Sequence, residues 1–321
     1  MLKVAVIGVG SMGSNHVRVL SQIADLKAVC DLNEEVGKSV AKEYGCKYYK
    51  SPKDLLEKEN LDAVSIVVPT KDHLAVAKFV LEQGVNVFLE KPIATNVKEA
   101  SKLIEVASKS DKKFMIGHIE RFNPAVLELK KIIENQELGR IISLSARRVG
   151  ISPPKTRGSS VITDLAIHDV DIFNFLLNRL PSKSACLYGS ALNNGAAQDY
   201  AEILLRYGVA NASIQVNWLT PLKIRKLHVT GELGYADLDY IKQELTIFRN
   251  NYSRDYDESG EVVIRFGNPT KVDVKVEKME PLMLELQHFL NCVEHNKEPS
   301  VSARDALNAL SILENLNILN D

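Results

Sequence analysis

The most constraining feature of this sequence is a glycine turn, Gly8–Gly13, that separates a short apolar run from a helical pattern. The run before the turn, Val4–Ile7, contains no polar residue, which is typical of a strand buried on both faces of a parallel sheet. The turn has the spacing G-x-G-x-x-G, and residues 14–23 after it have the periodicity of a helix. A chain that begins with this strand, turn and helix is predicted to be an α/β protein with a phosphate-binding turn.

An acidic residue at the right distance indicates that the turn binds a dinucleotide. Asp31 ends the second predicted strand and follows Gly10 by 21 residues. Gly8 allows the tight turn, Gly10 lets the backbone approach a pyrophosphate, and Gly13 lets the helix pack closely on the strand. Asp31 can accept hydrogen bonds from the adenosine ribose and would repel a 2′-phosphate, so the pattern favours NAD over NADP. The alternative is a glycine turn that holds no ligand.

The first third of the chain continues this alternation of strands and helices. Apolar runs at 63–68, 85–89 and 113–116 alternate with helical patterns at 72–83 and 97–108. Such alternation predicts a parallel sheet with helices on both faces.

The pattern changes after residue 119, where strand runs begin to follow one another. After a helix at 124–133, the predicted strands are 141–149, 199–207, 210–218, 224–230, 235–240 and 245–249. Helices are predicted at 161–177, 282–295 and 303–319. Adjacent strands favour a largely antiparallel sheet. We therefore predict a Rossmann domain over 1–119, followed over 120–321 by an α/β domain with a large, mostly antiparallel open sheet.

Composition and charge exclude several classes of protein. The 321 residues carry 40 Lys and Arg against 41 Asp and Glu, a net charge of −1, whereas binding to nucleic acid needs a basic excess. No apolar run approaches the length of a membrane span or a signal-peptide core, so we expect a cytoplasmic protein without a membrane partner. The histidines form no HExxH motif or close pair, and no metal site is predicted. The cysteines are widely spaced, which favours buried structural thiols; they are Cys30, Cys46, Cys186 and Cys292.

Two patterns carry candidate chemistry. Lys91 follows the strand at 85–89, and ligands of doubly wound sheets bind beyond the carboxyl ends of strands, where an ammonium could stabilise a developing alkoxide. Asp164 and His168 are four residues apart on a predicted helix and share a face, and imidazole can accept the proton of a hydroxyl near neutral pH. The alternatives are a surface lysine beside a turn proline, an acid that stabilises a helix N-terminus, and a core histidine.

Basic residues are concentrated just before the Asp164 helix. Arg147, Arg148, Lys155 and Arg157 contrast with the neutral charge of the whole chain. Because Arg makes bidentate contacts to phosphate, a substrate that carries a diphosphate fits this segment. Ordinary solvated charge is the alternative interpretation.

Together, Gly8–Gly13, Asp31, Pro69-Thr70 with His73, and Glu90-Lys91-Pro92 resemble the Gfo/Idh/MocA family, the glucose-fructose oxidoreductase and inositol dehydrogenase type. The similarity spans nearly the whole chain, and the E-K-P element is its most specific part. The resemblance implies an NAD-dependent dehydrogenase with a Rossmann domain, an α/β domain with an open sheet, and a Lys-Pro bond that is often cis. It also implies a homodimer or homotetramer formed largely through that sheet.

The resemblance further implies site residues. The residues expected to bind NAD are Gly8, Gly10, Ser11, Met12, Gly13, Asp31, Pro69, Thr70, His73, Glu90 and Lys91. Asp164 and His168 match the Asp-x-x-x-His element of the family, which makes Lys91, Asp164 and His168 the expected catalytic set, with either Lys91 or His168 as the base.

The segments 117–124, 147–168 and 234–245 resemble the nucleotide-sugar branch of the family, the UDP-N-acetylglucosamine 3-dehydrogenases. This resemblance implies oxidation of the sugar 3-hydroxyl to a ketone. The expected substrate contacts are His118, Arg121, Asn123, Lys155, Arg157 and Asp164. Relatives that act on free sugars, inositols or uronic acids, and a non-catalytic regulator of the same fold that binds NAD or a sugar, remain alternatives.

Overall fold

The computed structural model describes residues 1–151, 160–192 and 198–319. Its strands are β1 (Lys3–Ile7), β2 (Asp25–Cys30), β3 (Lys47–Tyr49), β4 (Ala63–Ile66), β5 (Asn86–Glu90), β6 (Phe114–Gly117), β7 (Ile141–Val149), β8 (Lys183–Gly189), β9 (Tyr200–Tyr207), β10 (Ala210–Asn217), β11 (Ile224–Gly231), β12 (Gly234–Asp239), β13 (Glu244–Arg249), β14 (Tyr252–Tyr256), β15 (Val262–Phe266) and β16 (Thr270–Asp273). Its α-helices are α1 (Ser11–Ile23), α2 (Glu34–Tyr44), α3 (Pro52–Lys58), α4 (His73–Glu82), α5 (Val97–Ser108), α6 (Pro124–Glu134), α7 (Ile167–Leu177), α8 (Pro281–Glu294) and α9 (Ala303–Glu314).

The chain packs into two compact units. The first consists of Met1–Phe122 together with Glu280–Glu314, and the second of Asn123–Met279 together with the segment that begins at Asn315. The helices α8 and α9 therefore pack with the first unit although they follow the second along the chain. The domain limits 1–119 and 120–321 stay a prediction of the sequence pattern.

The first unit is built on a six-stranded sheet with the order β3-β2-β1-β4-β5-β6. All of its strand pairs are parallel, as the sequence predicts for a Rossmann domain. In β1, Val4 and Val6 pack into one apolar cluster, whereas Ala5 and Ile7 pack into the other. Successive residues of a strand point to opposite faces, so this wholly apolar strand fills the core on both sides of the sheet.

The second unit contains an eight-stranded sheet with the order β16-β13-β12-β11-β7-β10-β9-β8. Its pairs are antiparallel except for β7 with β10, which confirms the predicted mostly antiparallel sheet. Burial alternates along β9, where Ala201, Ile203 and Leu205 are buried and Glu202 and Leu204 are exposed. One face of this sheet therefore packs into the unit and the other is open. The strands β14 and β15 form a separate hairpin.

Two predicted helices differ from the structure. The helix expected at 161–177 begins as a π-helical segment, Ile162–Ala166, and only then continues as α7. The helix expected at 303–319 ends at Glu314, so its last five residues were predicted wrongly. The reason lies in β8, because the Cys186 N–H donates to the Asn317 carbonyl and the Leu319 N–H donates to the Cys186 carbonyl.

In the described ranges, no helix is long and apolar enough to cross a membrane. All four cysteines carry free thiols, three of them buried and Cys46 partly buried. Burial, and then the charge of Asp31, raises the pKa of the Cys30 thiol to about 12. That thiol is therefore protonated and unreactive at neutral pH.

Candidate active site

The glycine turn has the geometry that a pyrophosphate requires. Gly8 has a φ of +88°, and a Cβ there would lie 2.6 Å from the Val67 carbonyl oxygen. A Cβ on Gly13 would lie 1.9 Å from the Gly8 carbonyl oxygen, so only glycine lets α1 pack this closely on β1. A Cβ on Gly10 would meet no atom within 4 Å, which leaves open space in front of the turn.

The N-terminus of α1 faces this space without a side-chain cap. Gly10 is the N-cap residue, and the first turn of α1 contains no acidic side chain. In α2, by contrast, the Asn33 side chain accepts a hydrogen bond from the Val36 N–H. No capping side chain therefore accepts hydrogen bonds from the first N–H groups of α1. These groups favour the binding of an anion at that end of the helix. The residues of the turn fit the diphosphate of a dinucleotide.

Asp31 is fixed beside the turn at the carboxyl end of β2. Its Oδ2 accepts the Val9 N–H at 2.8 Å, and its Oδ1 accepts the Asn33 N–H at 2.8 Å. Each carboxylate oxygen can accept a further hydrogen bond, so both remain able to bind hydroxyl groups of a ribose. This carboxylate was predicted from its spacing alone, and the structure adds its direct bond to the glycine turn.

His73, expected to bind the cofactor, joins two loops of the sheet. Pro69 precedes a short 3₁₀ turn, Thr70–Asp72, and His73 then begins α4. The ring is buried, with Nδ1 2.8 Å from the Pro92 carbonyl oxygen and Nε2 2.9 Å from the Val68 carbonyl oxygen. Burial lowers the pKa of His73 despite these two carbonyls. The ring therefore bridges the loops after β4 and β5, and a contact from His73 to NAD stays a prediction.

Lys91 follows the last residue of β5, and its peptide bond to Pro92 is cis, as the resemblance implies. The Glu90 carboxylate is buried between two partners. Its Oε1 lies 3.0 Å from Nε2 of His16, and its Oε2 accepts the Lys91 N–H at 3.0 Å. Burial raises the pKa of Glu90, but the hydrogen bond and charge of His16, together with Lys91, outweigh burial and lower the pKa overall. Glu90 is therefore ionised.

The sequence analysis did not identify His16 and Ser65 as part of this arrangement. His16 lies on α1, and its Nδ1 is 2.8 Å from the Ser65 Oγ on β4. In the sequence, His16 is one of several histidines that belong to no metal-binding motif. The available signal was its place on α1, three residues after Gly13, where an otherwise apolar helix face meets the sheet.

The residues around 118–123 have contacts within their own units. His118 and Arg121 are buried in the first unit, where Arg121 Nη1 lies 3.6 Å from Asp305 Oδ2. Asn123 is buried in the second unit and caps α6, because its Oδ1 accepts the Ala125 N–H and its Nδ2 donates to the Tyr240 carbonyl. These bonds favour a structural role for Asn123. Substrate contacts by the three residues stay predictions.

Asp164 and His168 both lie on the helical segment after Ser160, but in different kinds of turn. Asp164 belongs to the π-helical segment, and His168 to the first turn of α7; both are partly buried. The Ser160 hydroxyl accepts the Ile162 N–H at 3.1 Å, just before the segment, whose N-cap residue is Val161. Short π-helical segments are rare and occur often at functional sites.

Of the predicted basic cluster, Arg147 and Arg148 lie on opposite faces of β7. Arg148 is buried and makes two bonds to Asp169 of α7, at 2.9 and 3.0 Å. Arg147 is exposed on the opposite face of β7, because neighbouring residues of a strand point to opposite sides. Arg148 is therefore wrongly placed among the phosphate ligands. Lys155 and Arg157, with Pro153 and Pro154, lie outside the described residues.

The first unit brings most of the predicted cofactor residues to one edge. The strands β2, β1, β4 and β5 are neighbours in the parallel sheet. Their carboxyl ends are followed by Asp31, the glycine turn, Pro69-Thr70 and Lys91, respectively. Asp164 and His168 belong to the other unit. Among the residues that the structure describes, no three or more His, Cys, Asp and Glu side chains are grouped to hold a metal ion.

The chain matches two family models. One is the Gfo/Idh/MocA oxidoreductase family, NAD-binding Rossmann fold, over residues 2–118; the other is the C-terminal α/β domain of that family, over residues 130–316.

Several curated relatives and solved structures match over most of the chain. UDP-N-acetylglucosamine 3-dehydrogenase of Acidithiobacillus ferrooxidans is 30% identical over 294 residues, covering 91% of this chain and 88% of that protein. The solved structure of that enzyme aligns with a TM-score of 0.84 at 26% identity, covering 98% of this chain and 96% of that one. scyllo-Inositol 2-dehydrogenase (NAD(+)) of Bacillus subtilis is 27% identical, covering 95% of this chain and 90% of that protein.

Proposed function

Because this chain belongs to the Gfo/Idh/MocA family and is an NAD(P)-dependent oxidoreductase acting on CH–OH groups, we propose that it oxidises the 3-hydroxyl of a nucleotide sugar to a ketone, with NAD as the cofactor. The observation that carries this proposal is the similarity to the UDP-N-acetylglucosamine 3-dehydrogenase, which extends over 91% of this chain. UDP-N-acetylglucosamine is the substrate that we expect.

The preference for NAD is supported by the surroundings of Asp31. The carboxylate is fixed by the N–H groups of Val9 and Asn33, so it cannot turn away from the ribose without losing two charge-assisted bonds. The next two residues, Leu32 and Asn33, carry no cation that would balance a 2′-phosphate. A phosphate at that position would face an uncompensated negative charge.

The proposed chemistry separates a proton from a hydride. Bound NAD⁺ supplies the hydride acceptor, so that CH–OH and NAD⁺ give C=O, NADH and H⁺. Lys91 or His168 takes the hydroxyl proton, and the other stabilises the oxygen while negative charge develops on it. Asp164 orients the substrate hydroxyl or the imidazole ring. Proton and hydride leave neighbouring atoms, so a positioned base lowers the barrier to both.

The substrate is tested by measuring NADH formation at 340 nm with NAD⁺ and a panel of candidates. The panel contains UDP-N-acetylglucosamine, UDP-glucose, N-acetylglucosamine, scyllo-inositol and myo-inositol. We expect kcat/KM for UDP-N-acetylglucosamine to exceed that of the others at least ~tenfold, as about 1.4 kcal/mol of added transition-state binding would give. Faster turnover of an inositol would favour the second candidate function below.

The assigned catalytic residues are tested by substitution. Lys91→Ala and His168→Ala should each lower kcat by ~100-fold or more, because general acid–base catalysis contributes roughly 10²–10⁴-fold, while the Kd for NADH stays within about threefold. His295→Ala is the matched control, since His295 is exposed at the end of α8 and should leave kcat unchanged. Near-normal turnover in both site variants would contradict these roles.

A second candidate function is an inositol dehydrogenase. The specific observation is the 27% identity to the scyllo-inositol 2-dehydrogenase over 95% of this chain. An inositol lacks the nucleotide diphosphate, so this function predicts that UDP does not inhibit turnover. Competitive inhibition by UDP would favour the nucleotide sugar.

A further inference from the structure

We infer that His16 is a positioning residue for Lys91 and acts through the buried carboxylate of Glu90. The inference rests on the catalytic role proposed above for Lys91. His16 and Ser65 belong to none of the motifs that predicted the site, yet their side chains lie directly behind the turn that carries this lysine. Three elements contribute to the arrangement, since His16 is on α1, Ser65 on β4 and Glu90 at the end of β5.

A continuous series of polar contacts connects Ser65 to the backbone of Lys91. The Ser65 Oγ lies 2.8 Å from His16 Nδ1, and His16 Nε2 lies 3.0 Å from Glu90 Oε1. The other oxygen of Glu90 accepts the Lys91 N–H at 3.0 Å. An ionised carboxylate can only accept hydrogen bonds, so the Nε2–H of His16 must donate to Glu90.

Because these residues are buried, each contact in this series is costly to lose. His16 is fully buried, and the Ser65 and Glu90 residues are 3% and 7% exposed. Without the His16 donor, Glu90 would be a buried carboxylate short of a partner, which costs several kcal/mol unless it takes up a proton or turns toward water. Either change weakens the bond from the Lys91 N–H to Glu90.

The neighbouring strand is shaped around the carboxylate. Gly117 of β6 lies opposite Glu90 in the parallel pair, and a Cβ on Gly117 would lie 3.0 Å from Glu90 Oε1. The same Cβ would lie 3.1 Å from the Phe88 ring, whose centroid is 5.5 Å from that of His16. Glycine at 117 therefore leaves room for the carboxylate in the orientation in which it contacts both His16 and Lys91.

The orientation of the Lys91 turn matters because catalysis depends on small displacements. A misplacement of about 1 Å can cost roughly 100-fold in rate. In this positioning role, His16 contacts neither the substrate nor the reacting atoms. It holds the Glu90 carboxylate in place, and that carboxylate holds the Lys91 amide. The backbone at Lys91 in turn sets the position from which the side chain with its ammonium extends.

The kinetic test uses NAD⁺ and UDP-N-acetylglucosamine with four variants, His16→Ala, His16→Gln, Lys91→Ala and the double variant His16→Ala/Lys91→Ala. We expect His16→Ala to lower kcat by ~10- to 100-fold while KM for NAD⁺ stays within about threefold. His16→Gln keeps an amide N–H that can donate to Glu90, so it should recover most of the loss. The double variant should be no slower than Lys91→Ala alone, because residues that act in series are not additive.

A second measurement does not depend on turnover. Hydrogen exchange followed by mass spectrometry reports the Lys91 amide in peptides that end at residue 91. We expect His16→Ala to speed exchange of this amide by ~tenfold or more, since its acceptor is no longer held. His295→Ala, an exposed histidine in the same unit, should leave both the exchange and kcat unchanged.

The outcomes separate this inference from the proposed function. A wild-type kcat with unchanged exchange in His16→Ala overturns the inference, and so does a further tenfold loss in the double variant. If Lys91→Ala turns over normally, the role of Lys91 fails, while the exchange rate still decides whether His16 holds the turn. If His16→Ala does not fold, Ser65→Ala serves as the second variant, because it removes only a hydroxyl. It must lower kcat and raise the exchange rate of the Lys91 amide, each by ~two- to tenfold.

Discussion

At the scale of single residues, the site depends on side chains whose polar atoms already make hydrogen bonds within the protein. Asp31 accepts a hydrogen bond from the glycine turn and, in the proposed function, also binds the ribose. Glu90 accepts the Lys91 N–H with one carboxylate oxygen, and its other oxygen contacts His16. Such bonds fix a side chain in advance, so less entropy is lost when the ligand binds. In the proposed function, the choice of cofactor and the position of Lys91 therefore depend on hydrogen bonds within the protein.

Replacing Asp31 should change the choice of cofactor. We expect Asp31→Ser to raise KM for NAD⁺ by ~tenfold, the loss of about 1.5 kcal/mol for a hydrogen bond to a charged group, and to lower discrimination against NADP⁺ by at least as much. The ratio of kcat/KM for the two cofactors measures this. Asp25→Ser, at the opposite end of β2, is the control. An unchanged ratio in Asp31→Ser would show that another residue selects the cofactor.

The buried ring of His73 should make stability depend on pH. Burial lowers the pKa of His73, so as pH falls through its ordinary value of about 6.5 the unfolded chain takes up a proton that the folded chain does not. Its contribution to stability is thus fully present above about pH 6.5 and is lost as pH falls toward the lower folded-state pKa. The free energy of unfolding should decrease by at most about 1.4 kcal/mol per pH unit from this group.

Urea denaturation at pH 7.5 and pH 5.5 tests this effect. His73→Gln should have a smaller difference between the two pH values than the wild type, although burial also lowers the pKa of His288 and leaves a residual slope. His295→Gln should keep the wild-type slope, because His295 is exposed. A wild-type slope in His73→Gln would rule out the buried neutral ring as its source.

At the scale of elements, the helix that carries His168 is anchored by its neighbour in sequence. Asp169 makes two bonds to Arg148 of β7, and the Arg148 guanidinium carbon lies 4.9 Å from the centre of the Tyr240 ring. Both charges are buried, so removing either residue takes this ion pair away from the other. This pair ties α7 to the sheet directly beside His168.

Breaking this pair should therefore cost stability. We expect Asp169→Asn to lower the free energy of unfolding by about 3–5 kcal/mol, the usual cost of breaking a buried ion pair by removing one of its charges. Denaturation in urea measures the change. Glu34→Gln, which breaks the exposed Glu34–Lys38 pair on α2, should have little effect. Equal losses in the two variants would mean that the Asp169–Arg148 pair is no more important than a surface pair.

Elements with a strong apolar pattern could be predicted from the sequence, and those without one could not. The helix Val97–Ser108 and the strand Ile141–Val149 have the predicted bounds, because burial repeats along them with the period of a helix or strand. The strand β3 has three residues and β16 is exposed throughout, so neither shows a period. The π-helical segment before α7 was not predicted, because five residues with a wider turn are too few to show a period of their own.

The same limit applies to the site. Asp31 and Lys91 could be predicted because a spacing or a motif places them at the ends of strands. His16 could not, since its partners Ser65 and Glu90 lie 49 and 74 residues away along the chain. Arg148 was grouped with the basic segment that could fit a diphosphate, because the sequence shows its charge and not its partner Asp169, which is 21 residues further on.

At the scale of the whole molecule, the open face of the eight-stranded sheet distinguishes the second unit. Leu187 on β8 and Leu204 on β9 are 51% and 58% exposed there. Polar residues lie among them, including Glu202, paired with Leu187 across the two strands. A broad face that mixes exposed leucines with polar groups is typical of a surface between subunits.

The predicted homo-oligomer through this sheet can be tested by light scattering coupled to size-exclusion chromatography. We expect a dimer or tetramer for the wild type, and a shift toward smaller species in Leu204→Glu, because a carboxylate in an interface formed by this face would lose its water without gaining a partner. Leu180→Glu is the matched control, since Leu180 is similarly exposed but lies in the turn between α7 and β8. If both variants keep the wild-type mass, the subunits associate through another surface; if the wild type is itself a monomer, the open face has a different use.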